Sequence, residues 1–186
     1  MKTIAASGDR LPAVVAPAAA MESGQYLTFM LAGETFALGI LNIKEIIEYG
    51  ALTTVPLMPD FIRGVINLRG RVVPVVDLAA RFGRASTRVA RRTSIVIIET
   101  RVDEGEQADG ELQEVGILVD AVNEVVEIDG DAIRPPPTFG AGVQPEFIHG
   151  MAQRGSGFVI LLDLNHLLSD DQVALLGQEV APCLSE

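Results

Sequence analysis

The sequence predicts a mainly β fold built from two copies of one small β-barrel, each with short helices attached. From Gln25 onward, short runs of β-branched and aromatic residues are separated by glycine and proline, which is typical of a chain of many short strands. In addition, PDFIRG at 59–64 recurs as PEFIHG at 145–150, and the match continues without a gap to Asp77/Asp163. Two copies of a unit without a third exclude a solenoid or a propeller.

The first copy is predicted to open with a hairpin and to continue with a short helix or turn, because three isoleucines recur at helical spacing over 42–49. A further strand and a second hairpin follow. The second hairpin turns at Arg69 and Gly70, where glycine can supply the positive φ of a tight turn. Pro74 lacks an amide hydrogen, so its strand is expected at a sheet edge or bulged there. The ranges are 26–31 and 35–40 for the first hairpin, 52–55 for the strand, and 65–68 and 71–76 for the second hairpin.

The second half of the chain begins with a β-branched run at 93–99, which is typical of a buried strand. The polar and mostly acidic stretch 101–114 contains two glycines and predicts a mobile hairpin loop, after which a strand resumes at 115–119. Near the end, SDDQ at 169–172 has the form of a capping box. This predicts a last helix that continues through Leu176.

One folded domain is expected at 25–176. The leader at 1–24 is rich in alanine and proline and lacks the leucine-like run of a signal peptide, so we expect it to be disordered. Within the domain, the two barrel subdomains are expected at roughly 25–92, with a terminal strand possibly exchanged, and at 93–168. A C-terminal tail follows at 177–186.

The charge of the chain restricts its partners. The 186 residues carry a formal net charge of −11, whereas nucleic acids and anionic lipids attract basic surfaces. Cys183 is the only cysteine, so an intramolecular disulfide is impossible and a reducing compartment is favoured. No apolar run approaches the roughly 20 residues that cross a bilayer. We therefore expect a protein of a reducing compartment that binds other proteins or small molecules.

Few residues could carry out catalysis. The sequence has no nucleophile elbow, no P-loop and no dinucleotide-binding glycine motif. His149 and His166 are the only histidines, too few for most zinc sites, so no metal site is expected. Asp77 and Asp163 leave two interpretations open: the acid–base couple of a small enzyme, or N-caps of the helical turns that follow each hairpin. Capping is favoured, because duplicated positions usually record duplicated structure.

The two copies differ at the tip of the Arg69 hairpin. Copy one has NLRG at 67–70, whereas copy two has QRGS at 153–156, which moves the arginine by one position. Arg69 could present its fork of donors to carboxylates on a partner, with Glu45 as the nearest candidate acid to orient it. Alternatively, Arg69 is a solvated turn residue. The sequence pattern alone supports both interpretations equally.

The stretch PDFIRGVINLRG at 59–70, continued by VVPVVDL at 72–78, resembles the signature of CheW-type coupling proteins of bacterial chemotaxis. The resemblance covers nearly all of 25–176, including ILNIKEI at 40–46 and IRPPP at 133–137. It implies a fold of two intertwined SH3-like five-stranded β-barrels with short helices and a C-terminal helix. It also implies that the protein has no enzymatic activity and no cofactor.

The resemblance further implies an adaptor in a two-component signal transduction pathway. Such a protein binds the cytoplasmic tip of methyl-accepting chemoreceptors in a groove between the barrels, and it binds the regulatory domain of the histidine kinase CheA by barrel-to-barrel contacts. It would be cytoplasmic and recruited to membrane-anchored receptor arrays. The leader and the acidic insert at 101–114 depart from the family pattern, and the insert could alter which partners fit beside the second barrel. The family positions implicated in binding carry over to Ile43, Glu45, Gly64, Asn67, Arg69, Val122 and Val125.

Overall fold

The computed structural model of the chain describes residues 23–102, 111–136 and 143–168, and in these ranges it is mainly β. The predicted fold class is therefore confirmed. Most of the leader, the centre of the acidic insert and the predicted last helix lie outside these ranges. The strands are β1 (Gly24–Leu31), β2 (Glu34–Gly39), β3 (Ile43–Glu48), β4 (Ile62–Leu68), β5 (Arg71–Asp77), β6 (Ser94–Val102), β7 (Glu111–Val119), β8 (Ala121–Ile128), β9 (Ile133–Arg134), β10 (Ile148–Arg154) and β11 (Gly157–Leu162). The helices are α1 (Leu78–Arg81) and α2 (Leu164–Leu168), and single 3₁₀ turns occur at Ile40–Asn42, Gly130–Ala132 and Pro145–Phe147.

The strands form two sheets with the same internal order. One sheet has five strands in the order β3-β6-β7-β5-β4, and the other has six in the order β8-β1-β2-β11-β10-β9. Each sheet contains one parallel contact, β5 with β7 and β11 with β2, and all its other neighbours are antiparallel. The five-stranded sheet therefore matches the first five positions of the six-stranded sheet, strand for strand.

The β1–β2 and β6–β7 hairpins are exchanged between the two halves of the chain. The β1–β2 hairpin precedes β3 in sequence, yet it pairs with β8 and β11. The β6–β7 hairpin pairs instead with β3 and β5. The five-stranded sheet consequently uses residues 43–119, and the other sheet combines 24–39 with 121–162. The expected subdomains at roughly 25–92 and 93–168 allowed for one exchanged terminal strand, whereas a whole hairpin from each half lies in the other sheet. Alternating patterns specify the faces of a strand without specifying its partners.

The repeat is also present in the hydrogen bonding of the backbone. Asp77 N donates to Phe61 O at 2.7 Å, and the equivalent Asp163 N donates to Phe147 O at 2.9 Å. The strand pairs that follow these contacts share the same irregularity. Each carries one register shift at matching positions, between Ile62 and Gly64 in β4 and between Ile148 and Gly150 in β10.

Strand β3 occupies the segment predicted to be a helix or turn, so that prediction was wrong. Ile43–Glu48 pairs antiparallel with the residues from Ile98 back to Ser94 on β6, so the segment is a strand. Ile43 lies opposite Ile98 and Ile46 lies opposite Val96, with a bulge between the two pairs. Because cross-strand partners share a face, the bulge places two isoleucines three positions apart on one side of the strand. That spacing imitates a helix.

Strand β5 is interior, between β4 and β7, although it contains Pro74. Val65 is the cross-strand partner of Pro74, but its backbone N and O point away from β5. They form hydrogen bonds with Thr53 O and Thr53 N, at 2.8 and 2.9 Å. The nitrogen of Pro74 therefore faces β7, and the parallel pairing with β7 begins only at Val75. No ladder hydrogen bond is lost, so the expectation of an edge or bulged position for Pro74 was wrong. The strand predicted at 52–55 is reduced to the single bridge between Thr53 and Val65.

Three apolar clusters form the core. Each sheet packs one cluster of its own strands, and a larger cluster is shared between the two sheets and the helices. Four phenylalanine rings run through the shared cluster, with successive centroids 6.1, 5.7 and 6.0 Å apart: Phe29, Phe36, Phe82 and Phe147. Because both sheets bury apolar side chains in this shared cluster, its packing fixes how the sheets are placed relative to each other.

We expect Phe147→Ala to destabilise the protein more than Phe61→Ala. Phe147 is buried in the shared cluster, whereas Phe61 only packs against it and is partly exposed. Complete loss of a buried phenylalanine ring costs roughly 3–5 kcal/mol, and the partly exposed ring should cost less. Urea unfolding of both variants measures the difference in the free energy of unfolding. Equal costs would contradict the assignment of Phe147 to the shared core.

Candidate functional site

A shallow groove opens at one end of the five-stranded sheet, between the start of β3 and the tip of the β4–β5 hairpin. Its volume is about 460 Å³. Charged side chains of both signs surround a single apolar residue, which is typical of a surface that recognises protein side chains. The lining residues are Lys44, Glu45, Leu68, Arg69, Arg71 and Glu114.

The hairpin tip beside the groove is a rigid two-residue turn, as the sequence predicts. Arg69 and Gly70 both have positive φ, at 53° and 83°, which is the pattern of a type I′ turn. The side chain of Asn67 also closes the turn, because its Oδ1 accepts a hydrogen bond from Gly70 N at 3.0 Å. The backbone from which the Arg69 side chain projects is therefore fixed.

Arg69 reaches across the groove to the acid expected to orient it. Its Nη2 lies 3.1 Å from Glu45 Oε2, so an arginine of the hairpin joins a glutamate of the edge strand β3. The Arg69 side chain remains 79% exposed, whereas the Glu45 side chain is 27% exposed. An exposed pair of this kind contributes at most about 1 kcal/mol to stability. Its main effect is to orient a guanidinium whose other donors face solvent.

A second ion-pair network on the groove wall was not predicted from the sequence. Glu99 on β6 lies directly opposite Glu114 on β7, a like-charge arrangement that is unfavourable by itself. Lys44 Nζ binds both carboxylates, at 2.8 Å in the case of Glu99, and Arg71 Nη1 reaches Glu114 at 3.4 Å. The hydrogen bond to Glu114, followed by that to Glu99, raises the pKa of Lys44. The ammonium therefore stays charged and ties β3 to the β6–β7 hairpin.

The six-stranded sheet carries an equivalent Arg–Glu ion pair. Arg154 Nη2 at the end of β10 lies 3.4 Å from Glu124 Oε1 on β8. β8 occupies the position in its sheet that β3 occupies in the other, and Glu124 echoes Glu45. The one-position shift of the arginine between the two copies has therefore not removed the pair.

Each edge strand also carries one apolar pair on its face toward the shared core. On β3 the pair is Ile43 and Ile46, and on β8 it is Val122 and Val125, again on either side of a bulge. The first member of each pair packs against the shared cluster. The second member is exposed, Ile46 by 44% and Val125 by 53%. Each sheet thus presents an apolar contact beside its Arg–Glu pair.

Asp77 and Asp163 are structural, as the capping interpretation predicts. Asp77 is buried, and its Oδ1 accepts from Ala79 N, Ala80 N and Thr87 Oγ1 at 3.1, 3.4 and 3.0 Å. Asp163 Oδ1 accepts from Asn165 N at 3.0 Å and from His166 N at 3.4 Å, at the start of α2. Across the described part of the chain, no three His, Cys, Asp or Glu side chains converge on a possible metal position. No helix within the same ranges is long and apolar enough to span a bilayer.

A family model described as a CheW-like domain matches residues 25–172. The chain belongs to the CheW-like family. It is 33% identical to the chemotaxis protein CheW of Klebsiella aerogenes, over 82% of this chain and 86% of that protein, and 30% identical to that of Bacillus subtilis, over 78% and 86%. The crystal structure of the scaffolding protein TtCheW from Thermoanaerobacter tengcongensis matches with a TM-score of 0.69 and 33% identity, covering 81% of this chain and 90% of that one.

The similarity to these relatives indicates that the chain is a chemotaxis scaffold and not an enzyme. Within this CheW-like domain, six of the seven family positions lie on or beside the surface features described above: Ile43, Glu45, Asn67, Arg69, Val122 and Val125. Gly64 does not. It is buried, its φ is +149°, and an added Cβ would lie 2.5 Å from Thr53 O. Gly64 is therefore needed for the close approach of two backbones.

We expect Gly64→Ala to destabilise the domain, because the methyl group would force the backbone of Thr53 away and strain a positive φ. The cost should be roughly 2 kcal/mol or more. Gly39→Ala is the matched control, since a Cβ there meets nothing within 4 Å. Thermal melting of both variants measures the effect. A Gly64→Ala protein that melts like the Gly39→Ala protein would contradict the structural role of Gly64.

We expect Asp77→Asn to cost roughly 3 kcal/mol or more in unfolding free energy. The introduced amide nitrogen is a donor and cannot accept a hydrogen bond from Thr87, so one Thr87 donor would lose its acceptor. The positive charge of Arg63 would also lose its negatively charged partner. Asp163→Asn is the control, because asparagine is also a good N-cap and this site is partly exposed. Denaturant unfolding at neutral pH compares the two variants. Similar costs would show that burial of Asp77 adds nothing to its capping role.

Proposed function

We propose that this CheW-like scaffold couples chemoreceptors to the histidine kinase CheA by binding the receptor tip and the regulatory domain of the kinase at the same time. The observation that carries the proposal is the Arg–Glu pair at the groove, with Arg69 held on a rigid tip and largely exposed. A guanidinium of this kind can bind a carboxylate bidentately without loss of its existing partner. The proposed docking residue on the first barrel is therefore Arg69.

The apolar pairs on β3 and β8 supply apolar surface that a partner can bury, which an ion pair does not. Polar contacts orient a partner, whereas binding free energy comes mainly from apolar anchors that are buried at the centre of the interface. Ile46 and Val125 are exposed, and each adjoins a partly buried neighbour that fixes its strand. We propose that one such surface serves the receptor and the other serves the kinase. Two surfaces of matching design on one rigid body are what an adaptor requires.

The proposed location follows from these partners. A chain that binds the cytoplasmic tips of receptors would be recruited to membrane-anchored arrays from the cytoplasm. The formal net charge of −11 supports recruitment by protein contacts rather than by anionic lipid. Co-sedimentation with receptor cytoplasmic fragments and CheA tests the coupling directly. A chain that sediments with neither partner would contradict the proposal.

We expect Arg69→Glu to fold normally and to lose receptor-dependent activation of the kinase by at least about tenfold. The substitution places a negative charge against carboxylates of the partner, and surface changes rarely shift stability by more than about 0.5 kcal/mol. Circular dichroism melting measures the fold, and phosphorylation of CheA in the presence of receptor fragments measures activation. Arg134→Glu is the control, an exposed arginine on β9 of the other sheet.

A charge swap separates the two interpretations of Arg69. The double variant Arg69→Glu with Glu45→Arg restores an ion pair within the chain but reverses the charge offered to a partner. If Arg69 binds a partner carboxylate, the swapped protein stays inactive. Recovery of activation by the swap would show that only the internal pair matters, and would remove Arg69 from the proposed interface.

A further inference from the structure

The stretch from α1 through the start of β6 is strongly basic in an acidic chain. Residues 78–98 contain five arginines and neither aspartate nor glutamate, although the chain as a whole carries a net charge of −11. Two of these arginines serve the fold. Arg84 forms an ion pair with Glu34 at 2.7 Å, and Arg81 lies over the rings of Phe61 and Phe147 at 4.8 and 5.0 Å.

The other three arginines, at 88, 91 and 92, are exposed, and none of them forms an ion pair with a side chain of the described ranges. They lie within five consecutive residues, so their Cα atoms are at most about 14 Å apart. Val89, between them, is 47% exposed. We call residues 88–92 the arginine loop.

The arginine loop is fastened at both ends. Before it, buried Thr87 donates to Asp77 through its backbone N at 2.8 Å and its Oγ1 at 3.0 Å, and Arg63 Nη1 reaches Thr87 O at 3.3 Å. After it, Thr93 closes a turn, with Thr93 Oγ1 accepting from Ala90 N at 2.7 Å and Thr93 N donating to Ala90 O at 3.1 Å. The side chains of Arg91 and Arg92 therefore project from the centre of a fixed turn.

We propose that the arginine loop binds a carboxylate-rich segment of a partner protein. Three guanidinium groups on a fixed backbone can each bind a carboxylate bidentately with little further ordering of this chain. Exposed Val89 offers an apolar contact between them. None of residues 88–92 lines the Arg69 groove, and none of the seven family positions lies in the arginine loop, so the inference goes beyond the proposed coupling function.

Charge complementarity favours an acidic segment of another protein over other polyanions. A nucleic acid or an anionic membrane is extended and would meet the whole chain, whose net charge of −11 repels it. A second copy carries the same net charge and is repelled in the same way. A short acidic segment interacts mainly with charges within about one Debye length, roughly 8–10 Å, and the only charged residues in the stretch 78–98 around the loop are arginines.

Fluorescence anisotropy with a fluorescein-labelled glutamate-rich peptide tests the proposal on the full chain. At about 50 mM salt we expect the wild-type chain to bind the peptide and Arg88→Gln/Arg91→Gln/Arg92→Gln to bind at least about tenfold more weakly. Arg91→Gln alone should weaken binding, whereas Arg134→Gln, which removes an exposed arginine elsewhere, should not. Circular dichroism melting should be the same for all of these variants, because the substituted side chains are exposed.

Several results would overturn the proposal. Equal affinities of the triple variant and the wild type would show that the arginine loop does not hold the peptide. Equal losses of peptide affinity in Arg91→Gln and Arg134→Gln would show that only the net charge of the chain affects binding. Displacement of the peptide by phosphatidylserine vesicles or by a single-stranded oligonucleotide would assign the loop to a membrane or a nucleic acid. Wild-type self-association in sedimentation, abolished in the triple variant, would assign it to a second copy.

Discussion

The apolar layer shared by the two sheets is the constraint on which the rest of the structure depends. Each sheet is completed by a hairpin from the other half of the chain, so neither half can close its sheet alone. The rings of Phe29 and Phe36, from the exchanged β1–β2 hairpin, continue through Phe82 to Phe147. Burial of this layer fixes the two sheets relative to each other, and with them the edge strands that carry the proposed docking residues.

Asp77 organises the surface of the first copy in a way that its duplicate does not. The buried carboxylate joins α1, Arg63 of β4 and Thr87 through accepted hydrogen bonds, so its charge is compensated from several directions. In the second copy His149 replaces Arg63, and Asp163 is paired with His166 and partly exposed. The capping aspartate of copy one thus has a second task, which is to anchor the segment that carries the arginine loop.

The sequence predicted features that local chemistry determines, and it failed where they depend on distant partners. The tight turn at Arg69 and the caps at Asp77 and Asp163 follow from residues within a few positions, and all three are present. Strand β3 was misjudged because a bulge placed Ile43 and Ile46 on one face at helical spacing. An exchanged terminal strand and intertwined barrels were expected, but periodicity did not specify that whole hairpins are exchanged or that Glu99 and Glu114 meet opposite each other beside Lys44, because it does not determine which strand pairs with which.

The two Arg–Glu pairs are reached by different turns. In copy one Arg69 itself occupies the tip at positive φ, whereas in copy two Gly155 takes the positive φ and Arg154 lies one position earlier, at the end of its strand. Both arginines nevertheless contact the glutamate of the edge strand. Exposed pairs contribute too little to stability to explain such a correspondence by folding alone. The proposed function gives this oriented guanidinium, beside an apolar residue on each barrel, the role of recognising a partner.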